Sequence, residues 1–451
     1  MQLFITPLDY LLLPLILGLV YLVAYRIRDR YYPIGHAWRP YFLPGLTVKV
    51  AGALFIGLVY QYYYGGGDTA NYFFQSRVVN SAFSESPLKW LKLVLHIPDW
   101  YDGNYREYTS QIAWYTTLNN YAVVGATALL SIFTFNTFLP TSVLFAFISF
   151  SGVWAMFRTF ARMYPHLVRP VALATLYIPS TFIWGSGIFK DTVCMFGLGW
   201  MIFAAHRVLV QRKFNVSSIA LFLFSSYLIF IIKPYILVAF LPALGLWVIA
   251  LYGDKVKLSF FKPLLFGISG LVFIACLYLF SHTFAAELGQ YSLENIGQTS
   301  QVTRDYILSV SGDEGSGYSL GTIDPTPLGL LKKAPAGINV GLFRPYIWES
   351  RKIFVLFNAL EATLFLLLTL KVLLAVGPVR MWRAFIGNGT LQFCLVFAVI
   401  FAFAVGISSY NFGALSRYRI PCLPLYGMAL VLFYYSKFPA DRKLLSFRLK
   451  G

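Results

Sequence analysis

The chain has 451 residues, 58% apolar, 18% aromatic and only 12% charged, with a mean hydropathy of +0.66 and a formal charge of +18. A soluble globular domain carries about 25% charged residues, and here the apolar residues run in blocks near the ~20 that cross a bilayer as a helix. A soluble enzyme, a disordered chain and a disulfide-stapled secreted domain are excluded. The expectation is an all-α, polytopic transmembrane bundle, one integrated domain over 1–451.

Hydropathy predicts about 11–12 spans, at 8–25, 43–63, 121–138, 140–157, 170–187, 192–206, 217–232, 235–252, 263–281, 353–374, 389–408 and 420–436. The first block lacks a basic leader and a small-residue cleavage site, so it reads as a retained span and not a signal peptide. After the second span, 64–120 is a first extracytoplasmic loop. Within it, SPLKWLKLVLH (86–96) places Leu, Trp and Val at helical spacing around Lys89 and Lys92, as in a helix lying in the interface plane. The segment 282–352 is the one long hydrophilic stretch, and its middle, SGDEGSGYSLGTIDPTP (311–327), is rich in loop-forming residues. It reads as a second extracytoplasmic loop.

Cytoplasmic loops of membrane proteins gather Lys and Arg. The segments 26–49, 158–169, 207–213, 254–262, 371–383 and 437–451 hold 22 basic residues against Asp29, Asp254 and Asp441. They are placed inside, which puts the N-terminus outside and the C-terminus in the cytoplasm. The positive excess then meets anionic lipid headgroups and not nucleic acid. One stretch conflicts with this alternation. If 121–138 and 140–157 both cross, then Arg158, Arg162 and Arg169 land outside, so an element between 121 and 206 must be re-entrant or broken. Pro179 and the Gly185/Gly187 pair mark 170–191 as a place for the break.

Cys194, Cys276, Cys394 and Cys422 stand alone in or beside apolar spans and read as small core residues. The five histidines show no metal-binding spacing, so no metal or other cofactor is expected, although a divalent ion is not excluded.

Ionisable residues at membrane borders mark candidate sites. Gly65-Gly66-Gly67-Asp68-Thr69, with Asn71 and Tyr72, follows the second span. The glycines permit a sharp turn, and Asp68 could act as a base toward a hydroxyl. The plainer alternative is a helix cap with a surface carboxylate. In Trp184-Gly185-Ser186-Gly187-Ile188-Phe189-Lys190-Asp191, Lys190 could hold a phosphate oxygen oriented by Asp191, or snorkel beside an N-cap. Lys233-Pro234-Tyr235 reads as a hairpin with a snorkelling lysine.

In Phe343-Arg344-Pro345-Tyr346-Ile347-Trp348-Glu349, Arg344 offers a fork for phosphate and Trp348 a platform for a sugar; an aromatic belt with an Arg–Glu pair is the alternative. In Ser416-Arg417-Tyr418-Arg419, two arginines need an anion, either a substrate pyrophosphate or Glu349. Jointly, the outward Asp, Lys and Arg side chains among aromatics suit a leaving phosphate, which needs cationic stabilisation as charge develops.

The elements GGGDTANY, WGSGIFKD, LFRPYIWE and SRYRIPCLPL resemble blocks in bacterial multi-spanning GT-C-type glycosyltransferases and polysaccharide polymerases, over about 60–430 of this chain. The resemblance implies a helical membrane fold that takes a polyprenyl-phosphate-linked sugar donor and a glycan acceptor, within a glycan assembly system. It implies Asp68 as catalytic base, and Lys190, Arg344, Arg417 and Arg419 on the donor's phosphate. Tyr72, Asp191, Trp348 and Glu349 complete the candidate substrate contacts. Many relatives carry a second acid in a D-x-D or D-E pair, whereas Thr69 follows Asp68 here; Asp99 and Asp102 in PDWYDG are the nearest further carboxylates. Relatives also often begin in the cytoplasm, whereas the Arg26/Arg28/Arg30 loop puts this N-terminus outside.

The expected function is an inverting, lipid-donor glycosyltransferase or glycan polymerase at the extracytoplasmic face. The alternatives are a transporter or flippase for lipid-linked glycans, and a non-catalytic membrane subunit of a polysaccharide export or secretion assembly. A transporter would favour matched internal repeats, and none is apparent.

Overall fold

A computed structural model describes residues 3–252, 317–321 and 327–445. The expected span 263–281, Cys276 and most of 282–326 lie outside the described residues. Among the described residues the chain is all-helical, with no named strand and one isolated β-bridge between Gly317 and Asn411. Seven helices among the described residues are long and apolar enough to cross a membrane, as in a multi-pass membrane protein. The chain separates into two compact units, residues 1–168 with 176–234, and residues 169–175 with 235–451.

The first unit contains α1 (Pro7–Tyr31), α2 (Arg39–Val59), α3 (Asp68–Glu85), α4 (Pro87–Val94), α5 (Arg106–Thr109), α6 (Leu118–Ser131) and α7 (Phe138–Met163). After these come α8 (Val168–Leu176), most of which belongs to the second unit, α9 (Pro179–Trp184), α10 (Lys190–Leu209) and α11 (Val216–Ile232). Lipid tails are as apolar as leucine, so membrane helices associate through close packing of small residues. Here a Cβ built on Gly199 would come within 1.9 Å of the Gly152 carbonyl oxygen, so α7 and α10 touch backbone to backbone. Arg158 lies over the rings of Trp200 and Phe203, further along both helices in the same direction, so the two run parallel. By the same logic α2 is antiparallel to α7, with Gly45 against Phe150 and Gly57 against Phe138. α11 is antiparallel to α10, with Ile229 and Ser225 against Gly197.

These directions sort the charges. Asp68, Lys190, Asp191 and Lys233 fall at one end of the unit, while Arg28, Arg39, Arg158 and Arg207 fall at the other.

The directions also resolve the conflict between 121 and 206. The apolar stretch 121–138 forms none of the seven span-length helices among the described residues, and leaving it out of the crossing count removes the conflict. α6 is ~21 Å long at 1.5 Å per residue, against a core of ~30 Å, and it packs on the helices of the first loop. Asn80 on α3 donates to the Ala128 carbonyl (3.1 Å) and Ser131 hydroxyl (2.9 Å), and Tyr121 donates to the Leu93 carbonyl at the end of α4 (2.7 Å). The turn into α7 then runs through Phe135 and Asn136, both at positive φ. With α6 outside the crossing count, α7 carries Arg158 and Arg162 to the end that holds Arg28 and Arg39. The expected single span 170–187 is broken into α8 and α9 at Tyr177–Ile178, where Pro179 lacks the N–H that a continuous helix needs.

The expected interfacial helix is α4. Ser86 caps it, Leu88 and Leu91 are exposed, and Leu93 is buried.

The second unit contains α12 (Tyr235–Tyr252), α13 (Pro327–Phe343), α14 (Ile353–Val376), α15 (Pro378–Gly387), α16 (Gly389–Ser408), α17 (Phe412–Tyr418) and α18 (Cys422–Tyr435). The end of the expected long loop is α13, and it packs intimately on α16. A Cβ on Gly341 would meet the Ala402 carbonyl at 2.3 Å, and one on Gly406 the Gly337 carbonyl at 1.9 Å. Lys332, Lys333 and Pro335 lower the hydropathy of this stretch and conceal a helix that associates through glycine.

Candidate functional site

The first unit gathers the candidate residues in three steps. α2 ends in one π-turn, Tyr60–Tyr64, and the chain then passes through Gly65, Gly66 and Gly67 at φ of +72°, +142° and +126°. Residues with a Cβ avoid that region, and a Cβ on Gly67 would also strike the Tyr60 ring at 2.7 Å. The triple glycine therefore turns the chain sharply and sets Asp68 as the first residue of α3, exposed and in the favourable field of a helix N-terminus. The hydroxyl of Thr69, next to it, is buried with no hydrogen-bond partner among the described residues.

The second step is the turn from α9 into α10. Gly185 closes α9, and its carbonyl accepts from the Ser149 hydroxyl (2.8 Å) and from the Lys49 ammonium. Lys49 sits midway along α2, is 2% exposed, and also donates to Ser149 (3.0 Å). A lysine at this depth is costly and needs a reason. Here it holds the C-terminal carbonyl of a short helix whose next turn carries Lys190. Sequence reading missed Lys49 because a lysine near the start of an apolar run looks like the edge of a basic loop. Its signal is the apolar residues on both sides of it.

The third step is the N-terminus of α10 against the C-terminus of α11. Asp191 (1% exposed) forms an ion pair with Lys233 (6% exposed). Lys190 is half-buried, and Lys233, Asp191 and Asp68 all lie within electrostatic reach of it. One exposed carboxylate, one half-buried lysine and one buried ion pair thus lie within electrostatic reach of one another. Lys233, expected only to snorkel, is instead the partner of Asp191. Tyr72, one helical turn after Asp68 on α3, is buried: its ring packs on Trp114 (4.7 Å) and its hydroxyl donates to Asn120 (2.9 Å).

In the second unit, the Arg344 guanidinium holds both oxygens of Glu349, with Nε donating to Oε2 at 3.0 Å, and lies against the rings of Tyr318 and Phe412. Trp348 is 81% exposed and stacks on Tyr346. Arg419 is fully buried. It donates to the Arg344 carbonyl at 2.7 Å and to the Asn358 carbonyl at 3.4 Å, and it pairs with Glu361 on α14 at 3.5 Å. Arg417 is half-buried in the last turn of α17. Arg344 and Arg419 thus have glutamate partners within their own unit.

Among the described residues no three His, Cys, Asp or Glu side chains come together to hold a metal ion. No family model, no curated protein and no solved structure matches the chain.

Proposed function

We propose that the chain is a membrane glycosyltransferase or glycan polymerase of the bacterial inner membrane, taking a polyprenyl-phosphate-linked sugar donor at the extracytoplasmic face. The observation that carries this reading is the exposed Asp68 carboxylate within electrostatic reach of the half-buried Lys190 at the arginine-poor end of the first unit. An acceptor hydroxyl attacks the anomeric carbon of the donor, its proton passes to Asp68, and the bond from that carbon to the phosphate oxygen breaks. The phosphate leaves on its lipid, with its negative charge met by Lys190. Asp191 is buried and committed to Lys233, so it orients the lysines and is not free to act as a nucleophile. One exposed carboxylate in the cluster fits single displacement with inversion, since a covalent glycosyl intermediate needs a second.

The test is transfer from a radiolabelled polyprenyl-linked sugar by purified protein in vesicles. Asp68→Asn is expected to cut turnover by about 10²–10⁴-fold, the usual contribution of a general base, with unchanged folding. Unchanged turnover in folded Asp68→Asn overturns the reading.

A further inference from the structure

A polar hollow in the first unit lies away from Asp68. Nine residues separate Asp68 from Arg77 on α3, which is about half a turn around the helix and ~13 Å along it. There a cavity of about 400 Å³ opens between α3, the start of α1 and the turn from α6 into α7. Arg77 is exposed and has no hydrogen-bond, ion-pair or ring partner among the described residues. Across the cavity, the Asn136 side-chain oxygen accepts from Asn80 (2.6 Å), and this leaves its NH₂ group as a further donor. The lining carboxylate, Asp9, is already engaged: one oxygen accepts from the Thr6 N–H and hydroxyl (2.8 Å each), the other from the Leu139 N–H (2.8 Å). The Arg77 guanidinium and the Asn136 NH₂ group thus remain as donors while the Asp9 carboxylate is occupied, so the cavity suits an oxyanion.

Two further features say what carries that oxyanion. Phe135, on the rim, is 71% exposed and held at φ +53°. A non-glycine residue at positive φ is uncommon, and such strain concentrates at functional sites. Below the mouth, Leu8, Leu11, Leu15, Leu19 and Leu22 run down α1 at helical spacing, all exposed. A headgroup in the cavity would therefore continue into chains lying along α1.

From this arrangement we infer that the cavity is a binding site for a phosphate-bearing lipid, its phosphate held by Arg77 and Asn136 and its chains lying on the leucine face of α1. The site is separate from the proposed transfer chemistry and does not depend on it.

The test is lipid retention by the detergent-purified full chain, read by native mass spectrometry with dioleoyl phosphatidate as the probe. Wild type is expected to retain phosphatidate, and Arg77→Ala to bind it about tenfold more weakly, a modest value for losing a charge-assisted hydrogen-bonding group. Phe135→Asp gives an independent variant: aspartate tolerates positive φ better than phenylalanine, so folding is kept while the added charge repels phosphate. It too is expected to lower retention. Asp68→Asn is expected to leave retention unchanged, so failure here is distinguishable from failure of the proposed transfer. Equal retention by wild type, Arg77→Ala and Phe135→Asp overturns the site. Equal binding of dioleoylglycerol shows that phosphate is not recognised and overturns it as well. Full displacement of phosphatidate by an equal concentration of glycerol 3-phosphate shows a free-phosphate site and overturns the lipid.

Discussion

In the second unit each of two engaged arginines has its own glutamate, Arg344 with Glu349 and Arg419 with Glu361, and Arg419 is tied further to two backbone carbonyls. The first unit distributes its charge differently. Asp191 and Lys233 satisfy each other under cover, while Asp68 stays exposed and Lys190 half-exposed beside them. The first arrangement uses charge to hold helices and turns in place. The second leaves a carboxylate and an ammonium within reach of a ligand. Two charge-rich regions that look alike as sequence thus differ in how much of their charge the fold consumes.

The largest effect expected from breaking this contrast is on stability. Removing one partner of a buried ion pair leaves an uncompensated charge, at a cost of about 3–5 kcal/mol. Asp191→Ala is expected to lower the thermal midpoint sharply, as is Arg419→Met in the other unit. The double variant Asp191→Leu/Lys233→Met should recover most of the midpoint, because a well-packed apolar pair often replaces an ion pair without loss. Transfer should stay lost in that double variant, whereas any loss in Arg419→Met should follow the amount of folded protein. Recovery of transfer in the double variant would show that the Asp191–Lys233 pair is only a structural tie.

A smaller effect is expected at Lys49. Lys49→Met removes a buried ammonium without opening a cavity, and Ser149 still donates to the Gly185 carbonyl. The thermal midpoint should change little. The turn carrying Lys190 loses one anchor, and the donor KM is expected to rise about tenfold, since small misplacements of binding groups are costly. An unchanged KM would make Lys49 a packing residue alone.

Much of this contrast is legible in the sequence, and the remainder is hidden for physical reasons. The glycine triplet before Asp68 announces a backbone that only glycine adopts, and the structure puts all three at positive φ. The break near Pro179 is visible because proline cannot continue a helix. Hydropathy cannot tell a crossing helix from an apolar helix packed on a loop substructure, so 121–138 looks like a span. It also misses α13, whose helix packing rests on Gly337 and Gly341 and not on apolar bulk. Pairing is the least legible feature. Nothing local to Glu361 or Arg419 reveals that they meet across 58 positions of sequence.

The smallest expected effect concerns the first loop, outside the spans. Lys89 and the Tyr108 hydroxyl both donate to the Glu85 carboxylate, which is held below its usual range chiefly by Lys89, while the same contact pushes Tyr108 up to about 12. A depressed carboxylate stabilises the fold above its unfolded pKa, and that stability is lost as pH falls through the folded value. A raised tyrosine stabilises the fold below its unfolded pKa of 10.0, and that stability is lost as pH climbs toward about 12. Protection of α4 and α5 from hydrogen exchange, relative to the intrinsic rate at each pH, should therefore be highest between these limits and fall at both extremes. Flat protection across acid pH would remove Glu85 from the account.

The most direct test of the central claim is a cryo-EM map of the full chain in nanodiscs with polyprenyl phosphate added. The account expects phosphate density against Lys190, with Asp68 facing the same space and Asp191 still paired with Lys233. A map in which Lys190 and Asp68 point apart, or in which added phosphate binds only elsewhere, would contradict it.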